Sequence, residues 1–145
     1  MSEDKSQKPQ MPQDMKAFNR KLIEDFRASH GQLSGPMAGR QLMLLTTRGA
    51  RSGKEHTVVI GYRPDGDMYV VIASDNGAAD DPDWYRNLLK DPVATAEVGP
   101  KKVKVRARTT SGSESERLGA LVEYFPDQQK LTQRHIPVVV LEAVS

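Results

Sequence analysis

The distribution of apolar and polar positions divides the chain into segments of changing period. Met15, Phe18, Leu22 and Phe26 recur at helical spacing and predict a helix over residues 15–30, with Gly31 as its stop. Residues 32–40 carry Gly35 and Gly39 and read as a loop. The period then shortens. Residues 41–47 (QLMLLTT) form a short apolar run suited to a buried strand. Residues 48–54 (RGARSGK) form a glycine-punctuated turn, and residues 55–63 a second strand. Pro64-Asp65-Gly66-Asp67 is a strong hairpin turn. Residues 68–74 (MYVVIAS) are apolar on both faces, as expected of a central strand.

Asp81 and Pro82 predict a helix start, with Asp81 as N-cap and Pro82 at the first helical position. Trp84 and Leu88 face inward, and Asp91-Pro92 ends the helix near Lys90. Residues 93–98 form a fourth strand. In residues 102–109, Val103, Val105 and Ala107 alternate with Lys104, Arg106 and Arg108, which predicts a half-exposed strand. Ser113 and Glu116 make a capping-box pattern for a helix reaching Tyr124, broken at Pro126. Residues 138–144 form the last strand. Hairpins dominate this order. The expectation is an α+β fold: a small, mainly antiparallel barrel of about six strands with flanking short helices, closed to remove open edges.

Composition narrows the chemistry. The 145 residues fit one domain over residues 15–145, behind a polar, solvated tail over residues 1–14 that has no apolar core and so is no secretory signal. No cysteine is present, which excludes disulfides and thiolate metal sites and fits a cytoplasmic chain. His30, His56 and His135 are scattered, so no metal site is expected. A net charge of +2 argues against nucleic acid as a partner, and the basic face of residues 101–108 reads as a solvated strand face. The N-terminal tail carries lysines but no apolar face, so no stable membrane insertion is expected.

Two segments could carry chemistry. The turn over residues 48–54 gathers cations and glycines, which suits an anion. It is one residue too short for a phosphate loop, and no helix follows. Trp84, the only tryptophan, stands near a helix start and could wall a flat ring or simply pack in the core. Tyr124 and Phe125 could line a pocket mouth. No nucleophile elbow surrounds Ser74.

Taken together, Leu44–Gly53 (LLTTRGARSG), Asp65-Gly66-Asp67, Val70–Ser74 (VVIAS), Pro82–Leu88 (PDWYRNL) and Ile136–Val140 (IPVVV) resemble the actinobacterial deazaflavin-dependent nitroreductase family. The resemblance spans residues 42–141. It implies a split β-barrel related to flavin-mononucleotide-binding barrels, and binding of coenzyme F420, with flavin mononucleotide as a variant. It implies hydride transfer to a small electron-poor acceptor: an activated enone, a quinone or a nitro compound. Carried over by position, Arg51, Ser52 and Gly53 hold the anionic tail, with Lys54 and His56 beside them and Val58 and Val59 next along the strand. Ala73 and Ser74 lie near the ring, Ser74 as a proton donor, with Asp83, Trp84 and Asn87 along its side. Tyr124 and Phe125 form the acceptor pocket. The chain departs from the family pattern at Ala50, His56 and Asp75, where relatives often carry cations. A non-catalytic binding protein for a lipid-like or other flat ligand on the same barrel is the alternative.

Overall fold

The computed structural model describes residues 15–35, 38–74 and 78–144. The expected tail over residues 1–14, and Asp75, lie outside the described residues. In chain order the elements are α1 (Met15–Ala28), β1 (Leu42–Arg48), β2 (Glu55–Gly61), β3 (Arg63–Asp65), β4 (Met68–Ile72), α2 (Asp83–Lys90), β5 (Val93–Val98), β6 (Lys101–Thr109), α3 (Gly112–Gly119), α4 (Phe125–Lys130) and β7 (Val138–Ala143).

All seven strands join one sheet in the order β2-β1-β5-β6-β7-β4-β3, and every pairing is antiparallel. The two edge strands, β2 and β3, are consecutive in the chain and separated by Tyr62 alone. Laid flat, strands about 4.8 Å apart would hold these edges roughly 29 Å apart. Two Cα steps span only about 7 Å. The sheet therefore curls until its edges approach, and a barrel-like form follows from connectivity. The expected second strand is thus two strands: the Tyr62 N–H makes the last bond to the β1 side, donating to the Gln41 carbonyl at 3.1 Å, and from Arg63 the chain pairs with β4 instead.

The curl encloses one core of Met43, Leu45, Val71, Trp84, Leu88 and Val105, among others. A second cluster lies outside β4 and β7, where Val70, Ile72, Val138 and Val140 meet Leu118 and Val122. Alternate residues of β4 and β7 thus serve two cores, which explains why these strands read as apolar on both faces. β6 alternates as expected, with Val105 buried and Lys104 and Arg106 exposed.

Several helix boundaries differ from the sequence expectation. Pro82 is the N-cap of α2 and Asp83 its first residue, so Asp81 stands before the cap. Ser111, not Ser113, precedes α3, and no side chain caps it. α3 stops at Gly119, and Pro126 opens α4 instead of ending a longer helix; its fixed φ and missing N–H suit a first turn. α1 ends at Ala28, and Phe18 on its apolar stripe is exposed. Gly31, at φ +86°, lets the chain leave α1 directly against Gly99, where a Cβ would stand 2.7 Å from the Gly99 Cα.

Candidate functional site

A cleft of about 1030 Å³ opens between β2, the start of α2, the end of β4 and the start of α4. Val58, Val59, Gly61, Ser74, Trp84 and Tyr124 are among the residues that line it, and the Tyr124 hydroxyl lies against Gly61. β2 has β1 as its only strand neighbour, so its outer edge borders this space. The Tyr62 N–H to Gln41 carbonyl bond and the Gly49 N–H to Lys54 carbonyl bond set the parity of the ladder. Residues 54, 56, 58, 60 and 62 turn their backbone groups toward β1. Those of Thr57, Val59 and Gly61 therefore point outward, where a ligand edge can pair with them.

α2 starts in the cleft and ends at the basic turn, about 10 Å along its axis. Asp83 lines the cleft mouth, but its carboxylate is paired with Arg86, which also donates to the Asp81 carbonyl at 2.6 Å. Farther along, buried Asn87 donates from Nδ2 to the Thr47 hydroxyl at 3.0 Å, and its Oδ1 accepts from the Ala50 N–H at 2.9 Å. Lys90 Nζ donates to the Ala50 carbonyl at 2.9 Å. Both backbone groups of Ala50 are thus tied to α2, and the turn is fixed relative to the cleft.

The turn itself is tight. The Ser52 hydroxyl accepts from the Lys54 N–H at 3.1 Å, and Gly53 adopts φ +74°. The His56 ring packs on Gly49, where a Cβ would stand 3.1 Å from Nε2. Arg48 is committed to Asp91 at 3.6 Å and the Gly53 carbonyl at 3.4 Å. Among the described residues no carboxylate pairs with Arg51 or Lys54, and both are exposed. They are the turn's available cations.

Around Tyr124 the cleft holds a polar cluster whose other members, Arg63, Glu123 and Gln128, the sequence reading did not single out. Arg63 donates from Nε to Glu123 at 2.9 Å and from a terminal nitrogen to the Tyr62 carbonyl at 2.6 Å. Its guanidinium lies 5.2 Å from the centre of the Tyr124 ring, a cation–π arrangement. The Arg63 guanidinium holds the Glu123 carboxyl well below its ordinary range, at about 2. Burial pushes the Tyr124 hydroxyl up, against the opposing effect of Arg63, so Tyr124 stays protonated at neutral pH. Gly61 makes room for this hydroxyl: a Cβ there would stand 2.6 Å from it. On α4, one turn beyond Tyr124, Gln128 also lines the cleft. Its Oε1 is buried, with no hydrogen-bond partner among the described residues. Such an atom costs about 1–3 kcal/mol when left unpaired.

Arg134 was also missed, because it lies in an aperiodic segment before β7. Its guanidinium donates to the Ala78 carbonyl at 2.9 Å, to Asp81 at 2.9 Å and to the Ser74 carbonyl at 2.8 Å. It ties both ends of the β4–α2 connection to the chain entering β7.

Of the residues suggested by resemblance, Val58, Val59, Ser74, Asp83, Trp84 and Tyr124 line the cleft. Arg51, Ser52, Gly53, Lys54 and His56 form the adjoining turn. Three suggested residues stand elsewhere. Ala73 is fully buried in the core. The Asn87 amide is spent on Thr47 and Ala50. Phe125 packs on Gly119 and the outer core.

Comparison with known proteins gives the family and the fold. The sequence profile of the F420H(2)-dependent quinone reductase family matches residues 18–143. The F420H(2)-dependent quinone reductase Rv1261c of Mycobacterium tuberculosis is 33% identical over 124 residues, covering 80% of this chain and 83% of its own. A solved F420-H2 dependent reductase (FDR-A) superposes with TM-score 0.65 at 31% identity, over 71% of this chain and 95% of that one. The heme storage protein HutZ from Vibrio cholerae shares the fold alone, with TM-score 0.57 at 14% identity over 86% of this chain and 89% of its own.

Proposed function

The chain belongs to the F420H(2)-dependent quinone reductase family, and from that premise we propose that its cleft seats a deazaflavin ring between β2 and α2 and presents it to a quinone-type acceptor beside Tyr124. It is an F420-dependent oxidoreductase with a curled antiparallel barrel. The observation that carries the reading is the placement of α2. One rigid helix joins the ring-sized cleft at Trp84 to the cationic turn at Asn87 and Lys90.

The residues present fit the cofactor. A flat ring with a polar edge needs apolar walls and hydrogen-bonding groups in one plane. Val58 and Trp84 supply walls, and the outward backbone of Val59 and Gly61 supplies donors and acceptors. An anionic tail needs cations held at a fixed distance. Arg51 and Lys54 supply charge on a turn that Ser52, Gly53 and Asn87 keep rigid. Ala50 and His56 add no full charge here, and these two cations, which pair with no carboxylate among the described residues, are placed to meet the tail.

The bound, reduced cofactor supplies a hydride; the protein supplies orientation, charge and exclusion of water. Tyr124, kept protonated by burial, donates a hydrogen bond to an acceptor oxygen, and Ser74 offers a second hydroxyl in the same cleft. Arg63 holds the Tyr124 ring in place and favours negative charge developing near it. The absence of cysteine fits work in the reducing cytoplasm. Among the described residues no helix is long and apolar enough to cross a membrane.

Reduction of 2-methyl-1,4-naphthoquinone by reduced F420, with wild type and Tyr124→Phe, tests the reading. Turnover by wild type and a fall of about tenfold or more in Tyr124→Phe are expected, the size of a lost positioned donor. An F420-bound chain that turns over no quinone would refute the acceptor assignment.

A further inference from the structure

The charged residues that line the cleft are Arg40, Arg63, Asp83 and Glu123. Three of them are paired within the protein, Arg63 with Glu123 and Asp83 with Arg86. Arg40 is exposed and, among the described residues, pairs with no carboxylate. The cleft therefore carries one uncompensated positive charge. Its position decides what it can meet. Arg40 stands just before β1, and the cationic turn follows the other end of that strand. The seven residues of β1 put about 20 Å between the two. An anionic tail held at Arg51 and Lys54 is thus not the partner of Arg40. The chain beside Arg40 runs past Tyr124 instead. Leu42 pairs with Gly61, and a Cβ on Gly61 would stand 2.6 Å from the Tyr124 hydroxyl and 3.7 Å from the Gln41 carbonyl.

We propose that Arg40 is a specificity-determining residue of the acceptor site, its guanidinium pairing with a carboxylate carried on the acceptor ring, so that the enzyme favours anionic quinones. The proposal rests on the reading that the cleft takes a quinone beside Tyr124. A guanidinium presents parallel N–H donors that match the two oxygens of a carboxylate. A cleft with a net charge of one sign also focuses the field and draws in ligands of the other. An arginine that only meets solvent would not discriminate between acceptors of different charge.

The test compares (3-methyl-1,4-naphthoquinon-2-yl)acetic acid with its methyl ester, which share a ring and differ in one charge at neutral pH. Their dissociation constants are measured by calorimetry on the protein saturated with oxidised F420, for wild type, Arg40→Gln and Arg40→Lys. Wild type binds the acid about tenfold more tightly at low salt, the size of one hydrogen bond between charged groups. The preference shrinks as salt rises, because Arg40 is exposed. Arg40→Gln loses the preference through weaker binding of the acid alone, with Tm and F420 affinity unchanged. Arg40→Lys, which keeps the charge but not the paired donors, retains part of it. An equal preference in wild type and Arg40→Gln, or none in wild type, overturns the proposal while leaving the quinone reading intact. A fall in F420 affinity in Arg40→Gln with the preference kept assigns Arg40 to the cofactor and overturns it as well. Failure of the F420-bound wild type to bind either naphthoquinone overturns both readings.

Discussion

At the scale of single residues, Asn87 separates resemblance from geometry. By sequence position it stands among cofactor contacts. In the structure both ends of its amide are used within the protein, on Thr47 and Ala50. Asn87→Leu therefore leaves the half-buried Ala50 N–H and the buried Thr47 hydroxyl without these partners. A loss of about 2 kcal/mol is expected in urea denaturation, together with weaker cofactor binding as the turn loosens. Arg51→Gln should behave differently. Its side chain is exposed and pairs with no carboxylate among the described residues, so stability stays within about 0.5 kcal/mol. F420 affinity falls about tenfold or more, because a charge-assisted bond to the tail is lost. Asn87 thus shows both changes and Arg51 only one. If Arg51→Gln left affinity intact, the turn would not be the tail site.

At the scale of elements, two tethers position the cleft, and neither is periodic in the sequence. Arg134 binds the β4–α2 connection at the Ser74 and Ala78 carbonyls and at Asp81. Arg134→Met should lower stability by about 2 kcal/mol, since it strips several half-buried acceptors at once, and should weaken F420 binding through the displaced Ser74 and Trp84 walls. Asp81→Asn, which keeps most of the tether, should show a smaller version of both. The second tether joins β3 to the α3–α4 junction through Arg63 and Glu123. The Glu123 pKa is depressed in the fold from 4.5 to about 2. Its stabilising effect is therefore full above the unfolded pKa and is lost as pH falls toward the folded one. Because the carboxylate is fully exposed, the effect is small. The Tm gap between wild type and Glu123→Gln should be widest near neutral pH and narrow as pH falls below about 4.5. A gap that widened on acidification would contradict this sign.

Legibility divides along the same line. Strands β1, β4, β5, β6 and β7 were visible because period-two alternation or short apolar runs mark them directly. The basic turn and the Trp84 helix stood out through glycines and Asp-Pro punctuation. Arg63, Glu123 and Arg134 did not, because their roles depend on partners many residues away that only the curled sheet brings near. The break at Tyr62 was hidden for a related reason. Nothing local distinguishes a strand that leaves one sheet edge and joins the other. Pro126 could be read as a stop or as a first turn, and the packing of Phe125 on Gly119 accompanies the second outcome.

At the scale of the whole molecule, the consequence of the fold is a single groove. Edge strands joined through Tyr62 force the sheet to curl, and α2 lies across the opening with Trp84 on the cleft wall and Lys90 at the cationic turn. A ligand bound along this groove touches β2, β4 and α2 together. Saturating it at one hundred times the dissociation constant should stabilise the protein by about 2.7 kcal/mol. The tail's share of that gain should shrink as salt screens exposed Arg51 and Lys54.

Because Trp84 is the only tryptophan and forms part of the cleft wall, its emission reports directly on the ring site. The most direct measurement is a titration of the protein with oxidised F420, followed by Trp84 fluorescence and repeated with flavin mononucleotide. The account predicts saturable quenching by one F420 per chain, weakened in Arg51→Gln, with a smaller response to the flavin. Tight F420 binding that left Trp84 emission unchanged would place the ring elsewhere, and absence of F420 binding would contradict the site altogether.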